Sequence, residues 1–476
     1  MAANEIVPLV IGGKHFFTEK TFDVKSPSTG KVLHRAAAAS KEDAIKAVDA
    51  ASEALRSWRK TTLQQRQDIF LKAADNLQSR ADELQKCLEG ETGATSAWSQ
   101  MNVNVMAMIL KDVAGRVISL AGSIPSMKDP SRTALVVREP FGVVLSIAPW
   151  NAPYILGTRA VAFPIAAGNT VVFKAPELSP KTMWKIADVF REAGLPDGVI
   201  NFIAHDPTDA PSVTAALIAD PRVRKINFTG STNVGRVIAK QAGEHLKPVV
   251  LELGGKAPAI VWEDADLEVA AHHCAVGAFL NSGQICMSTE KILVHKAIKD
   301  DFRQKLAAAV KTIFPAGGEA PILVSSATAQ RNKQLVADAV ERGASILLGD
   351  AGVKESSDTR LRPIVVDGVT TDMDIYQVES FGPTVSLVNI ESEEEAIRLA
   401  NDTDYGLSSA VFTEDLRRGL RIAEALETGA VHINSMSPHD EPSLPHGGTK
   451  SSGFGRFNTS LGLEEWTWTK NITYNR

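Results

Sequence analysis

The chain is poor in cysteine: three in 476 residues, at positions 87, 274 and 286. An odd, sparse set argues against a disulfide scaffold and for a reducing compartment, with the cytoplasm as the expected location. No uninterrupted apolar run approaches the ~18 residues that would suggest a membrane span. The first residues carry no basic stretch followed by a signal-length apolar core. Neither charge dominates, with 51 Lys and Arg against 56 Asp and Glu, a net of −5. A basic footprint for nucleic acid is therefore missing. There is no solenoid-period repeat, no low-complexity linker and no Ser-centred nucleophile elbow. His272 and His273 are adjacent, so on a helix they point to different sides, and no partner cluster has metal-ligand spacing. No metal is expected.

What is present is a strong alternation of patterns. Residues 5–35 read as short strands around Gly12-Gly13 and Ser26–Gly30 turns. Ser40 is placed to cap a helix whose apolar face is Ala44, Ala47, Val48, Ala51 and Leu55. A second helix starts near Thr62, and a third follows Gly93. Residues 121–141, with Pro125 and Pro130, read as an extended ribbon. From 142 to 252, short apolar runs (143–147, 170–173, 199–203, 225–228 and 249–251) alternate with helical segments near 155–166, 179–193, 212–219 and 232–242. Such alternation predicts parallel strands covered by helices, with ligands at the strand carboxyl ends, where Asn151, Lys174, Gly230 and Glu252 fall. A second α/β region runs from about 254 to 450.

Of the three cysteines, Cys87 and Cys274 read as buried packing thiols. Cys286 differs: polar and glycine residues precede it in Asn281-Ser-Gly-Gln-Ile-Cys286, and Ser288-Thr289 follow. Glu252 lies in Leu251-Glu-Leu-Gly-Gly-Lys256, a strand-like run ending in a double glycine that lets another group approach the backbone. A thiol nucleophile and a carboxylate base, each on its own glycine-marked turn, suit covalent attack on a carbonyl followed by hydrolysis. Gly230-Ser-Thr-Asn-Val-Gly235 follows a strand and opens a helix, the context of a phosphate-binding turn, although Thr232 replaces the second glycine of the usual fingerprint.

In combination these motifs resemble the aldehyde dehydrogenase superfamily over nearly the whole chain. The stretch His439-Asp-Glu441, with Pro445-His-Gly-Gly, looks like its vanillin and salicylaldehyde (aromatic aldehyde) branch. The resemblance implies an α/β fold with three parts. These are a Rossmann-type cofactor domain (1–120 and 141–252), an α/β catalytic domain (253–450) and a small β oligomerisation ribbon and tail (121–140 and 457–476). It implies that Cys286 is the nucleophile, Glu252 the water-activating base, and Asn151 an oxyanion donor beside the Cys286 N–H. It places the dinucleotide against Ile147, Pro149, Trp150, Lys174, Glu177, Phe228, Gly230, Ser231, Gly235, Leu253, Glu379 and Phe381. Lys174 and Glu177 would hold the adenosine ribose, which favours NAD over NADP, since a carboxylate there repels a 2′-phosphate. Trp98, Tyr154 and Arg159 fall where the family's aldehyde channel runs, two aromatic rings for stacking and a cation for a hydroxyl or phenolate substituent. Core aromatics and a surface arginine are the plain alternative for these three.

The expectation is an NAD-dependent oxidation of an aromatic aldehyde to its acid, by a homodimer or homotetramer. An aliphatic or semialdehyde dehydrogenase, including a CoA-acylating one, and a non-enzymatic structural descendant are the alternatives. Glu252 argues against the CoA-acylating form, and the retained nucleophile, base and oxyanion residue argue against the last.

Overall fold

The run Val143–Ile147 is buried at every position, and its alternating side chains feed two separate cores, with Val143, Leu145 and Ile147 on one face and Val144 on the other. A strand so apolar on both sides must lie mid-sheet between helices. The computed structural model, which describes residues 5–315 and 317–475, has it there. Residues 1–4 and 476, part of the expected first domain and tail, lie outside the described residues.

The sheet around it has eight strands. Five are parallel, in the spatial order Val249–Glu252, Val223–Thr229, Val143–Ile147, Thr170–Lys174, Ile200–Ile203. Numbered along the chain and read from the Ile200–Ile203 side, this is the doubly wound 3-2-1-4-5 arrangement, whose topological switch point falls between Val143–Ile147 and Val223–Thr229. Two edges come from elsewhere in the chain. Leu9–Ile11 pairs antiparallel with Ile200–Ile203 and carries Lys14–Phe16 antiparallel on its outer side as the edge strand, and Gly453–Phe454 pairs antiparallel with Val249–Glu252.

Local chemistry fixes the covering helices. Ser40 Oγ accepts from the Asp43 N–H at 3.1 Å while Asp43 accepts from the Ser40 N–H at 3.2 Å, a reciprocal cap on Lys41–Trp58. Thr62 and Gln65 repeat the device on Leu63–Thr92, which Gly93 ends in the left-handed conformation at φ 71°. Leu63–Thr92, Ser96–Val117, Pro153–Ala166 and Pro180–Glu192 cover one face of the sheet. Lys41–Trp58, Ala210–Ala219 and Thr232–Glu244 cover the other.

A second sheet of seven strands has Thr289–His295 and Ala257–Val261 at its centre, parallel to each other. The ribbon is a separate antiparallel pair, Arg132–Pro140 against Thr467–Asn475. The expected tail, 457–476, therefore divides. Phe457, Leu463 and Trp466 are buried in the core of the first domain, and only from Thr467 does the chain join the ribbon. Large apolar side chains at all three positions explain the division, since leaving them on a ribbon would expose them. Among the described residues no helix is long and apolar enough to cross a membrane.

Candidate active site

The segment that carries Cys286 is built under strain. Asn281, Ser282 and Gly283 are all left-handed, at φ 49°, 59° and 73°. Two non-glycine residues in this region cost free energy, so the surroundings must hold them. They do: Asn281 Nδ2 donates to the Asn151 carbonyl at 3.2 Å, and Ser282 Oγ donates to the Ile322 carbonyl at 3.0 Å. Asn151 Nδ2 donates to the Gln284 carbonyl at 3.1 Å. An amide nitrogen carries two hydrogens, so this bond leaves Asn151 a second donor. Asn151 thus anchors the cysteine segment and stays available at it.

Glu252 arrives from the other side, at the carboxyl end of its strand. The two glycines after it are required by contact. A β-carbon at 254 would lie 2.5 Å from a Glu379 carboxylate oxygen, and one at 255 would lie 2.2 Å from the Cys286 carbonyl oxygen. Glu252 itself is 1% exposed, and neither carboxylate oxygen has a hydrogen-bond partner among the described residues. Burial, and then the negative charge of Glu252, pushes the Cys286 thiol well above its ordinary range, with Glu379 adding to the effect and Arg159 opposing it.

Cys286, Glu252 and Asn151 line one cavity of about 360 Å³, with Pro149, Trp150, Leu253, Glu379 and Phe381. Thr229, Gly230 and Ser231 line it too, so the switch point of the sheet opens into the same space. Helix Thr232–Glu244 begins there, and the side chain of its N-cap, Ser231, makes no bond to its own helix. Unclaimed first-turn N–H groups at a helix start suit a diphosphate. The Trp150 and Phe381 rings meet edge to face at 5.8 Å.

Glu379 is fixed by the Gly255 N–H, which donates to it at 2.9 Å. Burial and the neighbouring Glu290 raise its carboxyl to about 8. A half-buried carboxyl with acceptor capacity to spare fits a ribose hydroxyl donor. Together the helix start, the aromatic walls and Glu379 fit a nicotinamide dinucleotide.

Gly230, on the cavity wall, donates its N–H to the Glu252 carbonyl at 3.1 Å. Other expected cofactor residues lie off this cavity. Gly235 packs on Leu253, where a β-carbon would come within 2.5 Å, so this glycine serves helix-on-strand packing. Ile147 and Phe228 are buried in the core behind. Lys174 and Glu177 sit further along, at the end of Thr170–Lys174, both partly exposed. Burial lowers the Lys174 ammonium from its usual range, and Glu177 opposes the shift.

The three expected substrate residues are not among those lining the cavity. Trp98 lies next to it, its Nε1–H donating to the Asn151 carbonyl at 3.1 Å. Tyr154 is fully buried with its hydroxyl donating to the Leu84 carbonyl at 2.9 Å, so its polar end is already committed. Arg159 is no surface arginine: it is 1% exposed, bonds Asp440 through Nη2, and stacks over the Phe457 ring.

Two groups at the site had gone unread in the sequence. Lys256 and Glu290 form a buried ion pair, and Glu290 also accepts the N–H groups of Ser380 at 2.9 Å and Phe381 at 3.1 Å. That pair docks the Glu379–Phe381 segment against the cavity. The signal was Glu290 itself, a charge inside the apolar strand Thr289–His295. The second group is His446 with Asp440, both in the stretch used only to recognise a branch. The turn at Ser452 has a structural use: its Oγ donates to the Gly254 carbonyl at 2.7 Å and accepts the Gly406 N–H at 2.9 Å.

A doubly wound nucleotide fold whose switch point shares a cavity with a cysteine and a buried glutamate defines a thiol-dependent, dinucleotide-linked oxidoreductase. The aldehyde dehydrogenase family model matches residues 16–472, and the chain belongs to that family. It is an oxidoreductase acting on aldehydes with NAD(P). It is 45% identical over 474 residues to a vanillin dehydrogenase of Pseudomonas sp. (strain HR199 / DSM 7063), covering 98% of this chain and 97% of the relative. The crystal structure of a salicylaldehyde dehydrogenase from Pseudomonas putida G7, complexed with salicylaldehyde, superposes with TM-score 0.95 at 37% identity, over 99% of this chain and 98% of that one. A betaine aldehyde dehydrogenase from Staphylococcus aureus, in complex with NAD+, superposes with TM-score 0.93 at 32% identity, over 98% and 97%.

Proposed function

We propose that the protein oxidises an aromatic aldehyde of the vanillin or salicylaldehyde kind to its carboxylic acid, with NAD as acceptor. The observation that carries the chemistry is the single cavity shared by Cys286, Glu252, Asn151 and the start of helix Thr232–Glu244. Cys286 gives its thiol proton to Glu252, which passes it to solvent, and Sγ attacks the aldehyde carbon. The carbonyl oxygen becomes an oxyanion, met by the second Asn151 amide hydrogen and the Cys286 N–H, each typically worth ~3 kcal/mol of barrier. When bound, the dinucleotide supplies the hydride acceptor that takes the adduct to a thioester. Trp150, Ser231, Glu379 and Phe381 would hold it. Glu252 then takes a proton from water, the water oxygen adds to the thioester carbon, and the C–S bond breaks to release the acid.

The substrate class rests on the likeness to the two aromatic aldehyde dehydrogenases and on Trp98, whose bond to the Asn151 carbonyl sets an indole beside the oxyanion donor. Arg159 contributes positive charge behind the same region, with its Nε and Nη1 still without partners among the described residues. Preference for NAD rests on Glu177, whose carboxylate would repel a 2′-phosphate. Trp468, Ile472 and Tyr474 are exposed on the ribbon, which supports assembly into a homodimer or homotetramer through that surface.

The test is a comparison of kcat/KM for salicylaldehyde, vanillin, benzaldehyde and a short aliphatic aldehyde, with NAD and NADP side by side. The aromatic compounds are expected to win, with NAD the better acceptor. A preference for the aliphatic aldehyde overturns the substrate class, and a preference for NADP overturns the role of Glu177.

A further inference from the structure

We propose that His446 is the positioning residue for the hydrolytic base: a hydrogen bond from its Nε2 aims the Glu252 carboxylate at the water that attacks the acyl group. The proposal rests on Glu252 being that base.

Two buried polar groups face each other without partners. Both Glu252 oxygens and His446 Nε2 lack hydrogen bonds among the described residues, and His446 Nε2 stands 3.8 Å from Glu252 Oε1. A buried carboxylate without a donor is costly, so closing that gap is favourable. The closure is small, and such bonds are commonly long before substrate binds.

Behind the imidazole stands a rigid support. His446 Nδ1 lies 3.8 Å from Asp440 Oδ1. Asp440 is itself bonded by Arg159 Nη2 and, at 3.0 Å, by Asn458 Nδ2. Burial alone would raise its carboxyl, but Arg159, His446 and Asn458 hold it down to about 2, so Asp440 is a permanent anion. The His446 backbone is tied to Phe457 by two bonds, at 3.0 and 2.7 Å. Along the series Arg159, Asp440, His446, Glu252 the imidazole lies between two carboxylates, with Nδ1 facing Asp440 and Nε2 facing Glu252.

With one oxygen held by Nε2–H, Glu252 presents the other to water. It takes one proton as the water oxygen bonds to the acyl carbon, the C–S bond breaks, and that proton returns to the departing Cys286 thiolate. A carboxylate left free would turn toward the Cys286 thiol, which burial and then the Glu252 charge already push up.

Amide side chains separate the two halves of the imidazole, because asparagine puts its nitrogen near the place of Nδ1 and glutamine near that of Nε2. In His446→Asn the burst of NADH, one per active subunit, should persist while the rate after the burst falls roughly tenfold or more. In His446→Gln that rate should fall no more than about threefold, and KM should change little in either. Intact-protein mass spectrometry should find the acyl adduct accumulating on Cys286 in His446→Asn alone.

Wild-type turnover in His446→Asn, equal impairment in both variants, or loss of the burst in His446→Gln would overturn the proposal. Should His446→Asn not fold, Asp440→Asn leaves the imidazole and removes its support. A slowed post-burst rate there supports the proposal, and an unchanged one ends it. Glu252→Gln separates the two readings. If it keeps full turnover the base assignment fails and this inference with it, whereas a stalled Glu252→Gln beside an unaffected His446→Asn sinks only the inference.

Discussion

Gly255 lies directly against the Cys286 carbonyl: a β-carbon there would sit 2.2 Å from that oxygen, far inside contact distance. The atom met is backbone, so the cysteine segment itself would have to move. Gly255→Ala is expected to lower kcat about a hundredfold, the scale of a 1 Å misplacement of a reacting group, while dinucleotide binding stays near normal. Gly254→Ala would instead meet the Glu379 carboxylate and should weaken dinucleotide binding first. Fluorescence titration alongside burst kinetics distinguishes the two.

Removing the proposed nucleophile and removing the proposed base should give different silences. Cys286→Ala should show no burst and no turnover with any aldehyde. Glu252→Gln should release one NADH per active subunit and then stall as an acyl-enzyme, with a steady rate down by roughly a hundredfold or more. Full steady activity in either variant would remove the mechanism.

The thiol of Cys286 offers a charge test that needs no turnover. Because the Glu252 carboxylate disfavours the thiolate, the ligand-free enzyme should be alkylated slowly by iodoacetamide at neutral pH and faster as pH rises. Glu252→Gln deletes the repelling charge, lowers the thiol pKa and should speed alkylation several-fold at pH 7 to 8. Equal rates in the two proteins would show that burial alone sets the thiol.

Glu379 predicts a pH-dependent stability. Its carboxyl is raised to about 8 when folded, against 4.5 for a free one, so between those values the folded state holds the extra proton. Stability must then fall as pH rises from about 4.5 to 8. Glu379→Gln removes this loss, so its Tm relative to wild type should climb between pH 5 and pH 8 in thermal melts without dinucleotide. A constant offset would contradict the assignment.

Much of this was legible from the residues because local rules and global fold agree. Apolar strand-like runs alternating with capped helical faces place Asn151, Lys174, Gly230 and Glu252 at strand carboxyl ends, and the sheet has them there. The two glycines after Glu252 read as close approach, though not to what. Contacts joining distant segments were hidden. No spacing rule relates Glu290 to the N–H groups of Ser380 and Phe381, or His446 to Glu252. The partner of the Tyr154 hydroxyl, the Leu84 carbonyl, was equally hidden, because no spacing rule relates residues 70 positions apart.

The strand Gly453–Phe454 and the side chains of Phe457, Leu463 and Trp466 complete a sheet and core whose first strands lie near residue 9. A ribosome making this chain therefore releases the nucleotide-binding half unfinished, to be closed only when the last few dozen residues emerge. Truncation near residue 450 would strand that half with an open sheet edge and three missing core side chains, a form suited to aggregation and to chaperone capture.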